Sequence, residues 1–74
     1  MQPPKYRRIT RALKRTGFHV DHDTGSHRQW THQETPGLVT TKNKPGEHPP
    51  PTTWKNIRDQ VDAMGFLEEF LRNL

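Results

Sequence analysis

The spacing of the apolar residues, which switches from a helical period to a strand period and back, most constrains the fold of this chain. Tyr6, Ile9 and Leu13 recur at intervals of three and four, so they share one face of a helix expected over Lys5–Thr16. Lysines and arginines fill its other faces. Gly17 follows where helices commonly end in a left-handed glycine, and Lys14 and Arg15 in the last turn complement the helix dipole. The period then shortens to two. Phe18 and Val20 alternate with His19 and Asp21, which predicts a half-buried strand over Phe18–His22 with Phe18 and Val20 turned inward. Asp23-Thr24-Gly25-Ser26 is a cluster of turn residues, and His27–His32 reads as the antiparallel partner strand. Trp30 must face the core. Alternation then puts Arg28 and His32 on the side of Trp30, and His27, Gln29 and Thr31 on the other.

Glu34-Thr35-Pro36-Gly37 reads as a second turn and Leu38–Lys42 as a third strand, rich in β-branched residues. With Val39 inward, Thr40 shares the face of His27. Pro45, Gly46, Pro49, Pro50 and Pro51 make residues 43–51 a loop. Thr52 or Thr53 is expected to cap a second helix that runs to about Met64, with Trp54, Ile57, Val61 and Met64 on one face and Gly65 as its stop. Phe66–Leu74 reads as a short final helix whose apolar residues close the core or meet a partner. The order helix, three strands, helix, helical tail implies an α+β domain over residues 1–74. Its three-stranded antiparallel sheet carries both main helices on one face and leaves the other face open.

Only 27% of the 74 residues are apolar, so the core must be thin. Cysteine is absent, which removes disulfides and thiolate metal sites and fits a reducing compartment. No apolar run nears the roughly 20 residues of a membrane span, and no secretion leader is visible, so a cytoplasmic protein is expected. His19, His22, His32 and His48 invite a metal site. A strand would send His19 and His22 to opposite faces, however, and no helical H-x-x-x-H exists, so neither zinc nor another cofactor is expected. Charge is more telling. The net charge is +4, and residues 1–18 hold Lys5, Arg7, Arg8, Arg11, Lys14 and Arg15 without one acid. A basic end on a near-neutral body suits a polyanion, most simply nucleic acid, although a solvated helix face would carry the same charges.

Several runs in order resemble the HicA (YcfA-like) toxin family: Leu13-Lys14-Arg15-Thr16-Gly17-Phe18, Gly25-Ser26-His27, Val39-Thr40, Thr52-Thr53-Trp54-Lys55-Asn56-Ile57 and Glu68-Glu69-Phe70-Leu71. The resemblance implies a fold like that of double-stranded-RNA-binding domains. It also implies an mRNA interferase, the toxin of a type II toxin–antitoxin module, neutralised by a HicB-like antitoxin. By the same resemblance the catalytic histidine is His27. The family often continues its third strand as V-T-V-P-x-H. Here Val39-Thr40-Thr41-Lys42-Asn43-Lys44 stands instead, so the resemblance supplies no second catalytic group.

The residues themselves frame that expectation. Cutting RNA without a metal needs a group to move the 2′-hydroxyl proton, a proton for the leaving 5′-oxygen, and positive charge for the transition state. Histidine suits the proton transfers because its ordinary pKa of about 6.5 lies near working pH. Gly25 and Ser26, in the turn that presents His27, are candidate RNA-binding residues, because in double-stranded-RNA-binding folds the first hairpin loop reaches the minor-groove side. Arg28, Lys42 and Lys44 near the sheet, with Arg8, Arg11 and Arg15 on the first helix, are the candidate RNA-binding cations. Arg28 is the odd member, since alternation aims it at the core side. From pattern alone His27 is as much a plain surface residue. A non-catalytic RNA-binding module on the same fold is the second reading, and a module that docks a partner through Phe66–Leu74 is the third.

Overall fold

A computed structural model of the protein describes residues 2–74. Helix α1 (Tyr6–Arg15) buries Tyr6, Ile9, Ala12 and Leu13. Its side-chain cap is missing at Lys5, and the proline-rich loop takes over. The Tyr6 and Arg7 N–H groups donate to the carbonyls of Glu47 (2.9 Å) and Pro45 (3.0 Å), satisfying donors that a helix start leaves free. The helix stops at Gly17, whose φ of 98° is left-handed. Gly17 N–H bonds the Lys14 carbonyl (3.1 Å) and Phe18 N–H the Leu13 carbonyl (3.0 Å), the paired bonds of a Schellman stop.

Three antiparallel strands follow, β1 (His19–Asp23), β2 (His27–His32) and β3 (Thr35–Lys42), in the spatial order β1-β2-β3. Trp30 pairs with Val39, and both are fully buried. The Trp30 indole N–H donates to Thr41 Oγ1 at 3.0 Å, so the large ring enters the core with its polar atom satisfied. Helix α2 (Pro51–Ala63) adds Ile57 and Val61 to this core, and α3 (Leu67–Asn73) adds Phe70. The architecture is the expected α+β arrangement of one three-stranded antiparallel sheet and three helices, in the order α-β-β-β-α-α. Among the described residues no helix is long and apolar enough to cross a membrane.

Four local expectations are corrected. Val20 pairs with Trp30, yet it is 38% exposed rather than core, because the helices pack over β3 and β1 lies beyond them. The register of β1 shifts between Val20 and His22, a bulge that pairs His19 with Thr31 and His22 with Gln29. Both histidines therefore share the face of Gln29 and Thr31, not opposite faces. The second turn is only Gln33 and Glu34, and Thr35, Pro36 and Gly37 already belong to β3. Pro36 is tolerated because β3 is an edge strand. Gly37, with φ 133°, lies so close to Met64 that a Cβ there would be 2.9 Å from Met64 Cγ. Finally, neither Thr52 nor Thr53 caps α2: the helix opens on Pro51 after Pro50, with no side-chain cap bond.

His32 is the polar plug of the core. Its Nε2 donates to the Thr16 carbonyl (3.1 Å) and its Nδ1 accepts the Glu34 N–H (3.2 Å). Its ring stacks on Phe66 with centroids 4.0 Å apart and meets Phe18 edge-on at 5.1 Å. Both ring nitrogens are used, so this histidine is structural. Gly17 lies against it: a Cβ at Gly17 would sit 2.7 Å from His32 Nε2. Gly17→Ala therefore meets both a left-handed backbone and a clash, and it should cost more than about 1 kcal/mol. In a domain of this size that lowers the melting temperature by roughly 4–8 °C or more. Thermal denaturation followed by circular dichroism measures it, and an unchanged midpoint would refute the role given to Gly17.

Candidate active site

The three-residue turn that precedes β2 is held from both sides. Asp23 Oδ1 accepts the Gly25 N–H (2.9 Å), and Asp23 Oδ2 accepts from Arg28 Nε (3.2 Å). Thr24 closes the turn through its N–H and hydroxyl, both donated to the His27 carbonyl (3.0 and 3.2 Å). From the far side Asn43 donates its backbone N–H to the Ser26 carbonyl (2.8 Å) and its amide to the Gly25 carbonyl (3.1 Å). The Gly25-Ser26-His27 segment is thus clamped between the end of β1 and the end of β3.

This clamp presents His27 at the wall of an open groove of about 550 Å³. Tyr6, Thr40, Lys42, Thr53, Asn56 and Gln60 share the groove. His27 is exposed, and its Nδ1 lies 3.2 Å from Ser26 Oγ. Lys42 is its direct cross-strand partner, so the two side chains leave the sheet on the same face. The far wall is α2, docked on the edge of β3 by Gln60, whose Oε1 accepts the Thr40 N–H at 3.0 Å. Burial pushes the Tyr6 phenol pKa up, and Glu47 adds to the shift, so Tyr6 serves the groove as a neutral hydroxyl.

The nominated cations divide. Lys42 lines the groove itself. Arg28 and Lys44 line a smaller adjoining cleft of about 100 Å³, which Lys42 and Tyr6 also border. Lys42 and Lys44 face Glu47 at 3.7 and 3.9 Å, exposed pairs that hold them only weakly. Arg28 lies on the Trp30 side of β2, as alternation requires, yet it stays half-buried and paired with Asp23 rather than entering the core. Arg8 is committed elsewhere, donating to the Leu74 carbonyl at 2.9 Å. Arg11 and Arg15 are exposed on α1 and do not line the groove. Among the described residues no group of histidines and carboxylates is placed to hold a metal ion.

A family model described as the HicA toxin of bacterial toxin–antitoxin systems matches residues 6–63. The chain belongs to the HicA toxin family. The matched span runs from the first residue of α1 to the last of α2, and it contains every residue of the groove. In this HicA-family chain α3 lies outside the matched span, although its Phe70 completes the core. No curated protein matches the chain. Of the residues singled out in the sequence, the structure brings His27 and Lys42 to the groove and sets Gly25 and Ser26 in the turn beside it. Asn43, Asn56 and Gln60 join them without a sequence signal: Asn43 follows the third strand, and the two amides stand on a helix whose pattern marks only its apolar face.

The Gly25 N–H, and after it Arg28, hold the Asp23 carboxyl below the usual carboxylate range. A depressed folded-state pKa adds stability that is present above the unfolded value of about 3.9 and lost as pH falls through the folded value. The turn should therefore stay closed across neutral pH. The Gly25 amide shift, followed by NMR, should titrate with a midpoint below about 3.9. A midpoint above that value would contradict the bond, and Asp23→Ala should abolish the titration.

Proposed function

We propose that this chain is a metal-independent endoribonuclease, an mRNA interferase, acting in the cytoplasm and neutralised by a HicB-like antitoxin. The observation that carries the reading is His27 on the groove wall, its Nδ1 beside Ser26 Oγ and Lys42 directly across the sheet. Family membership supports the toxin role, and the groove supports the chemistry.

In this mechanism the RNA 2′-oxygen forms a bond to the neighbouring phosphorus while the bond from phosphorus to the 5′-oxygen breaks. The proton leaves the 2′-hydroxyl and a proton reaches the departing 5′-oxygen. His27 carries out one of these two transfers as general acid or base through Nε2, solvent water carries out the other, and Ser26 orients the ring through Nδ1. Lys42 offsets the charge that builds on the phosphate oxygens. Arg28 and Lys44 in the adjoining cleft bind a neighbouring phosphate, after the weak hold of Glu47 on Lys44 is exchanged for the polyanion. Arg11 and Arg15 extend the same positive field along α1. The products are a 2′,3′-cyclic phosphate and a 5′-hydroxyl.

The test is RNA cleavage by purified protein with a chelator present. His27→Ala should lose at least about a hundredfold in rate, the lower range of general acid–base catalysis, while still shifting RNA in a gel. Its expression should no longer arrest growth. A variant that cuts like the parent would overturn the assignment of His27. A parent that binds RNA but never yields fragments would favour the non-catalytic RNA-binding module.

A further inference from the structure

The groove beside His27 has two unlike walls. The sheet wall carries the imidazole and the Lys42 ammonium, whereas the α2 wall offers Thr53, Asn56 and Gln60 and no charged group. These α2 residues stand three and four apart and share one helix face. Gln60 is oriented. A backbone N–H only donates, so its bond to Gln60 Oε1 leaves the –NH₂ of the side chain as the end free for a ligand. Asn56 is exposed, so both ends of its amide are available. Phosphate is bound by cations, whereas paired amide donors and acceptors fit the edge of a nucleobase. A groove of about 550 Å³ has room for one unstacked nucleotide.

We propose that Gln60 and Asn56 read the nucleobase flanking the scissile phosphate, and so decide where RNA is cut. The proposal rests on the nuclease reading for the position of that phosphate, next to His27 and Lys42. A base splayed out of the stack lies against α2, its edge accepting from the Gln60 –NH₂ and exchanging hydrogen bonds with Asn56, while its phosphate stays on the cationic wall. Sequence-specific recognition of RNA commonly uses unpaired bases read on their edges in this manner.

Gln60→Glu separates reading from folding. A carboxylate oxygen still accepts the Thr40 N–H and keeps α2 docked, but the outward donor becomes an acceptor. Asn56→Ala removes the second amide from an exposed position. Parent and variants are incubated with a random-sequence RNA pool in chelator, and the new ends are sequenced. The parent should prefer particular bases at a nucleotide adjoining the cut. Gln60→Glu should change that preference about tenfold towards bases that present a donor, Asn56→Ala should flatten it, and Lys55→Ala, outside the groove, should keep it. Variants that both cut with the parent's preference, or a parent with none, would overturn the proposal. A second measurement needs no cleavage: the Gln60 and Asn56 side-chain amides are followed by NMR as each of the four nucleoside monophosphates is added. Shifts that differ among the four bases support the base pocket, and equal or absent shifts refute it. A parent that cuts no RNA while its amides discriminate bases overturns the nuclease reading alone.

Discussion

The burial of Trp30 with its N–H satisfied by Thr41 is the interaction on which the rest depends. The ring is fully buried in a domain with few large apolar side chains, so moving it to water forfeits a large share of the core. Its bond to Thr41 reaches the neighbouring strand and locks the pairing of Trp30 with Val39. Register then dictates the site. A slip of one residue would send every β2 side chain to the opposite face, taking His27 out of the groove and away from Lys42. The face that carries His27 is therefore set by the core residue three positions further along β2.

Around that strand pair the molecule uses small polar contacts to close what its thin core leaves open. His32 joins the end of α1, the β2–β3 turn and Phe66 through two hydrogen bonds and two ring contacts. Asn73 reaches back from α3 to Thr16 Oγ1 at 3.0 Å, tying the last helix to the same corner. Loop carbonyls finish the start of α1, and Gln60 finishes a free donor on the edge of β3. This last contact sets the helix at the rim of the sheet and turns an open face into a groove.

Helices, strand order and the inward side of β2 and β3 were legible in the sequence, since each follows from the spacing of residues such as Ile9, Leu13, Trp30 and Val39. The placement of His27 was legible by alternation from Trp30, whereas the catalytic role proposed for it rests on the resemblance and is not written in the alternation. Two register irregularities were hidden: the bulge in β1 between Val20 and His22, and a shift in the β2–β3 pairing between Trp30 and His32, opposite the stretch of β3 where Gly37 lies against Met64, far apart from it in the chain. Asn43 and Gln60 escaped for the same reason: their bonds to Gly25 and Thr40 span 18 and 20 residues, and no local pattern marks such partners. Arg8 sits on the basic helix as the sequence predicts, and its bond to the Leu74 carbonyl, 66 residues away, is another contact that no local pattern marks.

The chemistry of the cut ends tests the central claim most directly. RNA digested by the purified protein in chelator is examined for its termini by phosphorus NMR and end-labelling. Attack by the 2′-oxygen with proton transfer at His27 yields 2′,3′-cyclic phosphate and 5′-hydroxyl ends, and a single 2′-deoxy nucleotide at the cleavage site blocks the reaction. Ends bearing a 5′-phosphate, or undiminished cutting at the 2′-deoxy position, would mean that water rather than the 2′-oxygen attacks, and would contradict the mechanism built on His27.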